Sequence, residues 1–222
     1  MLYDEHIEAL ILKYLKKEQI ISLGTGEWNT AFLNKLALFN EENSLNLTIV
    51  PTSHALTGLC KKLKMKTVSL DDVDIDLAFD FVDQVDGDFN YISNDTASLV
   101  RDKMIAQTSA EMVVVVEEKG FVKKLTGPVV VEVSPFAIKK TIIQLMNLGE
   151  PTQRMLSDKP LVSETGNYFI DIKLDDVFSI DDFEYQAKNI PGVLETSLFI
   201  GYADRAIIHG DTIKVKSRME FD

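Results

Sequence analysis

Two carboxylates three residues apart, Asp80 and Asp83, follow the apolar run Ile75, Leu77, Ala78 and Phe79 in the stretch LAFDFVDQVDG. That run reads as a buried strand of a parallel sheet. The acids then fall where the strand ends, which is the edge at which open α/β sheets bind ligands. Paired acids in such a loop can poise proton transfer, because mutual repulsion and partial desolvation push their pKa values apart. A second reading is open: Asp80, Asp83, Asp86 and Asp88 also suit solvated turns. Upstream, the short apolar segment from Ile20 to Leu23 runs into Gly24-Thr25-Gly26 and then into a helical pattern through Phe32, Leu33, Leu36 and Phe39. Strand, glycine turn and helix N-terminus together can hold an anion through backbone amides and the helix dipole. The glycines have a plainer use too, since many such turns need only positive φ.

The elements that must position these residues repeat in a βα rhythm. Asp4 can cap a first helix carrying Ile7, Leu10, Ile11, Tyr14 and Leu15, ending in the cations Lys16 and Lys17. After the glycine turn and its helix comes a strand over residues 45–50. The turn Pro51-Thr52-Ser53 follows, with Ser53 as N-cap of a helix through Leu56, Leu59 and Leu63. Strands are expected over 68–70 and 75–79, a helix opening at Asp95 or Thr96, and a strand over 112–116 whose β-branched run suits burial on both faces. This rhythm implies a doubly wound sheet. From residue 128 the pattern changes to strands over 128–133, 153–156, 168–172 and 193–200 with helices over 136–148 and 181–189. These read as an α+β lobe of ferredoxin-like form. A hairpin of 206–209 and 212–216 about Gly210-Asp211 returns to the first domain, and residues 219–222 read as a frayed end. The expected division is a main domain of residues 1–127 and 201–222 and a lobe of 128–200.

Composition narrows the functions further. A chain of 222 residues can bury about 70% of its unfolded surface and needs no disulfide, and Cys60 is the single cysteine. A net charge of −12 repels phosphate backbones, which argues against nucleic acid and anionic membranes as partners. A small anion remains a possible ligand if local cations or amides overcome that field. The charged N-terminal segment lacks the features of a signal peptide and no stretch reaches membrane-spanning length, so a soluble, cytoplasmic protein is expected. His6, His54 and His209 are scattered without metal-ligand spacing, and no metal site is expected from them. Arg154 is expected to pair with an acid such as Glu164, Asn167 to serve a turn, and Lys61, Lys62, Lys64 and Lys66 to form a solvated helix end.

Several blocks together resemble the type A ribose-5-phosphate isomerase family: ISLGTGEWNTAFLNKL, PTSHALTGL, LAFDFVDQVDG, SLVRDKMIAQ, VVVVEEKGFVKKL, GPVVVEVSPFA, LGEPTQR, SETGNYFIDIK and IPGVLETSLFIGYADRAIIHG. They occur in the family's order over almost the whole length. The resemblance implies an α/β fold, a Rossmann-like doubly wound main domain with an inserted ferredoxin-like α+β lobe. It also implies a homodimer, a sugar phosphate as partner, and interconversion of ribose 5-phosphate and ribulose 5-phosphate through an enediol. No cofactor is implied, because the substrate carbonyl acidifies its own α-hydrogen. The family's DGADE aspartates fall on Asp80 and Asp83, its glutamate base on Asp102, and a further lysine on Lys119; Gly24, Thr25, Gly26, Thr52 and Ser53 match the sugar-phosphate pocket.

The departures from the family concentrate at this site. The family's GTGST turn here carries Glu27 and Trp28 after Gly26, so an anion and a ring replace two hydroxyls. Its KGGG segment is Ser93-Asn94-Asp95-Thr96, without lysine or glycine. Asp102 is one methylene shorter than the glutamate it replaces, and a misplacement near 1 Å can cost on the order of 100-fold in rate. Two functions are therefore set against each other. One is an isomerase of the family; the other is a catalytically impaired relative that binds another small ligand or regulates a partner.

Overall fold

The computed structural model describes residues 10–174 and 179–218. The start of the helix expected from Asp4, His6 and the segment 219–222 lie outside the described residues. A seven-stranded sheet runs in the order Ile213–Ser217, Arg205–His209, Met112–Glu117, Leu77–Phe81, Ile20–Leu23, Thr48–Val50, Lys66–Thr67. Every neighbouring pair is parallel except the edge hairpin, in which Arg205–His209 pairs antiparallel with Ile213–Ser217. Counted along the chain, the six parallel strands lie 3-2-1-4-5-6, the doubly wound order whose direction reverses between Ile20–Leu23 and Leu77–Phe81.

Both faces of this sheet are covered, which explains its apolar runs. Val113 and Val115 pack with Leu23, Phe32, Leu33, Leu36 and Phe79 on one side. Val114 and Val116 pack with Ala78, Ile105, Ala106 and Ile208 on the other. A strand buried on both faces has no polar side to alternate with.

The second sheet is antiparallel, ordered Val193–Thr196, Val129–Val133, Tyr168–Leu174, Gly149–Gln153. With the helices Ile138–Leu145 and Ile180–Lys188 it forms the βαββαβ arrangement expected, around a core of Val129, Val131, Leu145, Ile170, Ile172 and Phe183. Several elements depart from expectation. The helix expected to open at Asp95 or Thr96 is capped by Ser98 and begins at Leu99, and the strand expected over 153–156 runs Gly149–Gln153. The strand expected over 68–70 is Lys66–Thr67 followed by a single 3-10 turn, Leu70–Asp72, capped by the Ser69 hydroxyl. The single strand expected over 193–200 divides: Leu198–Phe199 leaves the antiparallel sheet and pairs with Tyr91–Ile92 in a small three-stranded sheet. Stacking of the Tyr91 and Phe199 rings, centroids 4.4 Å apart, accompanies that switch.

Candidate active site

Two strands end side by side at the point where the sheet order reverses. The Gly24 N–H donates to the Phe79 carbonyl at 2.8 Å, closing the gap between the first glycine turn and the acidic loop. A Cβ at Gly24 would collide with the Asp80 carboxylate and with Asn29, so only glycine lets the two segments approach. Gly26 has φ 110°, and a Cβ there would meet the Asp95 carboxylate. The helix Glu27–Glu42 begins immediately after, and its first intrahelical bond runs from Thr30 N–H to the Gly26 carbonyl at 3.0 Å. The first N–H groups of an α-helix lie ahead of its hydrogen-bond ladder and point out of its N-terminus.

Asp80 lies beneath this turn, 7% exposed. Its Oδ1 accepts from Asn29 Nδ2 at 3.0 Å and its Oδ2 from the Ser93 hydroxyl at 2.7 Å. Burial pushes the carboxyl up to about 8, with the charge of Asp102 adding and the two hydrogen bonds opposing. Asp102 sits on the helix Leu99–Thr108 and is pushed up to about 7, again chiefly by burial. Its Oδ2 accepts from the Thr96 hydroxyl at 2.5 Å, while its buried Oδ1 has no hydrogen-bond partner among the described residues. Asp83 takes the Asn94 N–H on its Oδ2 at 2.8 Å; burial nevertheless raises its pKa.

The helix bearing Asp102 is fixed from below. Ser98 caps it, and the fully buried Glu132 accepts from the Ser98 hydroxyl and the Val100 N–H through Oε2, each at 3.2 Å. Its Oε1 accepts from Ser163 at 2.6 Å, Asn167 at 2.9 Å and Thr165. The antiparallel sheet, through Glu132, thereby holds the N-terminal end of the helix that carries Asp102.

The glycine turn and the acidic loop share a cleft of about 300 Å³ lined by Thr25, Gly26, Glu27, Trp28, Asn29, Phe81, Val82, Asp83, Asp95, Glu117 and Lys119. Of the residues expected at the site, Thr25, Gly26, Glu27, Trp28, Asp83 and Lys119 come together on its wall. Gly24 and Asp80 lie behind it, Asp80 bonded to the cleft residue Asn29, and the expected base Asp102 is likewise off the wall, buried where its charge acts on Asp80. Four carboxylates face it, and the Lys119 ammonium lies 2.6 Å from Glu117. Thr52 and Ser53 instead line a neighbouring groove of about 850 Å³, with the Ser53 hydroxyl committed to capping the helix His54–Lys62. Thr52 still touches the turn, its hydroxyl 3.5 Å from that of Thr25. Ser93 is buried against Asp80. Asn94 ties the loop to the second sheet, donating to the Pro128 carbonyl at 3.0 Å and accepting from Ser197 at 2.7 Å.

Arg154 pairs with Asp171 at 2.5 Å rather than with Glu164, which is taken by Arg101 at 3.3 Å. Of Asn29, Asp95, Thr96 and Glu132, only Asp95 and Thr96 are named from the sequence, as counterparts of the family's glycines, and none of the four is given a role at the site. A signal existed for two of them: Asn29 shares the inner helix stripe with Leu33 and Leu36, and Glu132 interrupts the apolar run VVVEV, so each is a polar group at a core position.

The chain matches the family model of ribose 5-phosphate isomerase A (phosphoriboisomerase A) over residues 48–212. It is 36% identical to the ribose-5-phosphate isomerase A of Thermosynechococcus vestitus over 196 residues, 85% of this chain and 83% of the relative. To that of Trichodesmium erythraeum it is 35% identical over 93% of this chain and 90% of the relative. Among solved structures, a D-ribose-5-phosphate isomerase in complex with phospho-erythronic acid superposes with TM-score 0.87 at 30% identity, over 95% of each chain. The ribose 5-phosphate isomerase A of Methanocaldococcus jannaschii superposes with TM-score 0.86 at 29% identity, over 95% of this chain and 96% of that one.

Proposed function

The chain belongs to the ribose 5-phosphate isomerase A family, and from that premise we propose that its cleft interconverts ribose 5-phosphate and ribulose 5-phosphate through an enediol. The observation that carries this reading is the pair of buried carboxyls, Asp80 and Asp102, behind an anion-competent helix terminus. In the open-chain aldose, a base takes the proton from C2, the C1 carbonyl oxygen gains a proton, and the enediol collapses with protonation at C1 and loss of the O2 proton. Asp102 suits the base. A pKa of about 7 leaves much of it ionised near neutrality, and its unpartnered Oδ1 offers a lone pair. Asp80, at about 8, is mostly protonated there and suits a donor to the oxygen that becomes negative. Asp83 and Lys119 line the cleft where a ring oxygen would be protonated for opening. The amides of residues 27–29 suit the phosphate.

The test is direct. Purified protein is incubated with ribose 5-phosphate and ribulose 5-phosphate is assayed beside an Asp102→Asn control; turnover above the control is expected, and turnover no greater than the control overturns the reading. Nothing in the fold or the relatives favours the non-catalytic alternative. We also infer a homodimer, supported by the exposed Phe136, Ile143 and Met146 beside and along the helix Ile138–Leu145. Light scattering at twice 25.0 kDa would accord with it. No helix among the described residues is long and apolar enough to cross a membrane; a cytoplasmic site of action is the reading that the buried free thiol of Cys60 supports.

A further inference from the structure

We propose that Asn29 is a substrate-binding residue that seats a hydroxyl of the sugar beside Asp80 and so fixes which end of the substrate faces the buried carboxyls. Asn29 lines the cleft yet is 1% exposed. Its Nδ2 is fully used, donating to the Thr25 carbonyl at 2.7 Å and to Asp80 Oδ1 at 3.0 Å. The Thr25 carbonyl can only accept, so the nitrogen must face it, and the amide cannot be turned the other way. The side-chain oxygen is consequently fixed as well. Oδ1 is buried and has no hydrogen-bond partner among the described residues.

A buried acceptor left unpaired is unfavourable, and a ligand that supplies a donor removes that penalty on binding. An amide oxygen accepts only. The ester-bound phosphate of the sugar, as its dianion, has no proton to give it, whereas every hydroxyl of an open-chain pentose has one. The Asn29 oxygen therefore selects the hydroxyl-bearing end of the sugar, and leaves the phosphate to donors at the helix terminus. A second consequence follows from Nδ2: the residue that receives the hydroxyl also holds Asp80 in place, so sugar and carboxyl are aligned by one side chain.

The inference rests on the isomerase reading for the identity of the sugar, and the experiment separates the two. Binding of two probes is followed at pH 8 by ligand-observed NMR, which needs no turnover: ribitol, which carries hydroxyls and no phosphate, and methyl phosphate, an ester dianion with no O–H. Asn29→Ala is expected to weaken ribitol about tenfold and to leave methyl phosphate within about twofold. It is also expected to lower kcat/KM for ribose 5-phosphate by about 10- to 100-fold, because the lost contact is made in the transition state as well as in the ground state. Equal losses for both probes, or none for ribitol, overturn the proposal. Thermal melting reports whether the variant folds; if Asn29→Ala does not, Asn29→Ser is read with the same probes and by the same criteria. Wild-type protein that binds ribitol through Asn29 but does not turn over ribose 5-phosphate sinks the isomerase reading and leaves this one standing.

Discussion

The Ser93 hydroxyl donates to Asp80 Oδ2 at 2.7 Å, at the position where the family's KGGG pattern carries lysine. A neutral donor thus stands where a cation would stand. It favours the ionised carboxyl less strongly, which is one reason that burial prevails and Asp80 lies at about 8. Removing the donor with Ser93→Ala raises that pKa further, so the limb of the pH–rate profile governed by Asp80 moves to higher pH and kcat/KM falls about tenfold. Ser93→Lys moves the same limb to lower pH. Profiles of kcat/KM for the two variants check both signs, and limbs that stay in place would remove Asp80 from the rate.

The same carboxyls make stability depend on pH. In the folded chain Asp80 and Asp102 lie at about 8 and about 7, against 3.8 when unperturbed. Between these values the native state binds more protons than the unfolded one. The stability they contribute is therefore fully present below about pH 4 and is lost as pH rises through 7 and 8. Scanning calorimetry should show a melting temperature about 5 °C lower at pH 8.5 than at pH 5.5, and Asp80→Asn should flatten that slope.

Lys103 follows Asp102 on the same helix and turns the opposite way. Its ammonium lies 3.0 Å from Glu195 and 3.3 Å from Glu184, over the Phe199 ring at 5.1 Å from its centroid, with the side chain 10% exposed. Breaking a buried pair by removing one partner strands the other charge. Lys103→Met is expected to cost on the order of 3 kcal/mol, read as a lower denaturation midpoint in urea. Because Lys103 links the Asp102 helix to the helix Ile180–Lys188, kcat should fall with it even at temperatures where the variant is folded.

Much of the fold was legible because local pattern and tertiary burial agree. The β-branched run at Val113 to Val116 is buried on both faces, and the glycines at 24 and 26 stand where a strand must turn into a helix. Legibility failed where a contact between distant segments decides the outcome. Nothing local divides residues 193–200; the break arises because Leu198 and Phe199 pair with Ile92 and Tyr91, more than a hundred residues earlier in the chain. Residues 68–70 look like a strand because Val68 and Leu70 are apolar, yet they pack inward from a loop whose ladder ends at Thr67. At the site, Asp80, Asp83 and the glycine turn could be read from residue type and spacing. Asn29 could not be assigned a role without its partner, since its bond to Asp80 spans 51 residues.

Asp95 supplies the last test, because it occupies ground the phosphate would want. Its carboxylate abuts Gly26 at the head of the helix Glu27–Glu42 and lines the cleft with Glu27. An anion there satisfies the same dipole that would attract phosphate, so the two compete for one positive end. Two such charges a few ångströms apart repel by about 1 kcal/mol through solvent. Asp95→Asn keeps the shape and removes the charge. It should lower KM for ribose 5-phosphate about fivefold at low salt with kcat little changed, and the difference from wild type should shrink at about 1 M salt, where screening acts within a few ångströms. Initial-rate measurements at the two ionic strengths distinguish the outcomes: a KM indifferent to the substitution at low salt would place the phosphate away from the Gly26 turn.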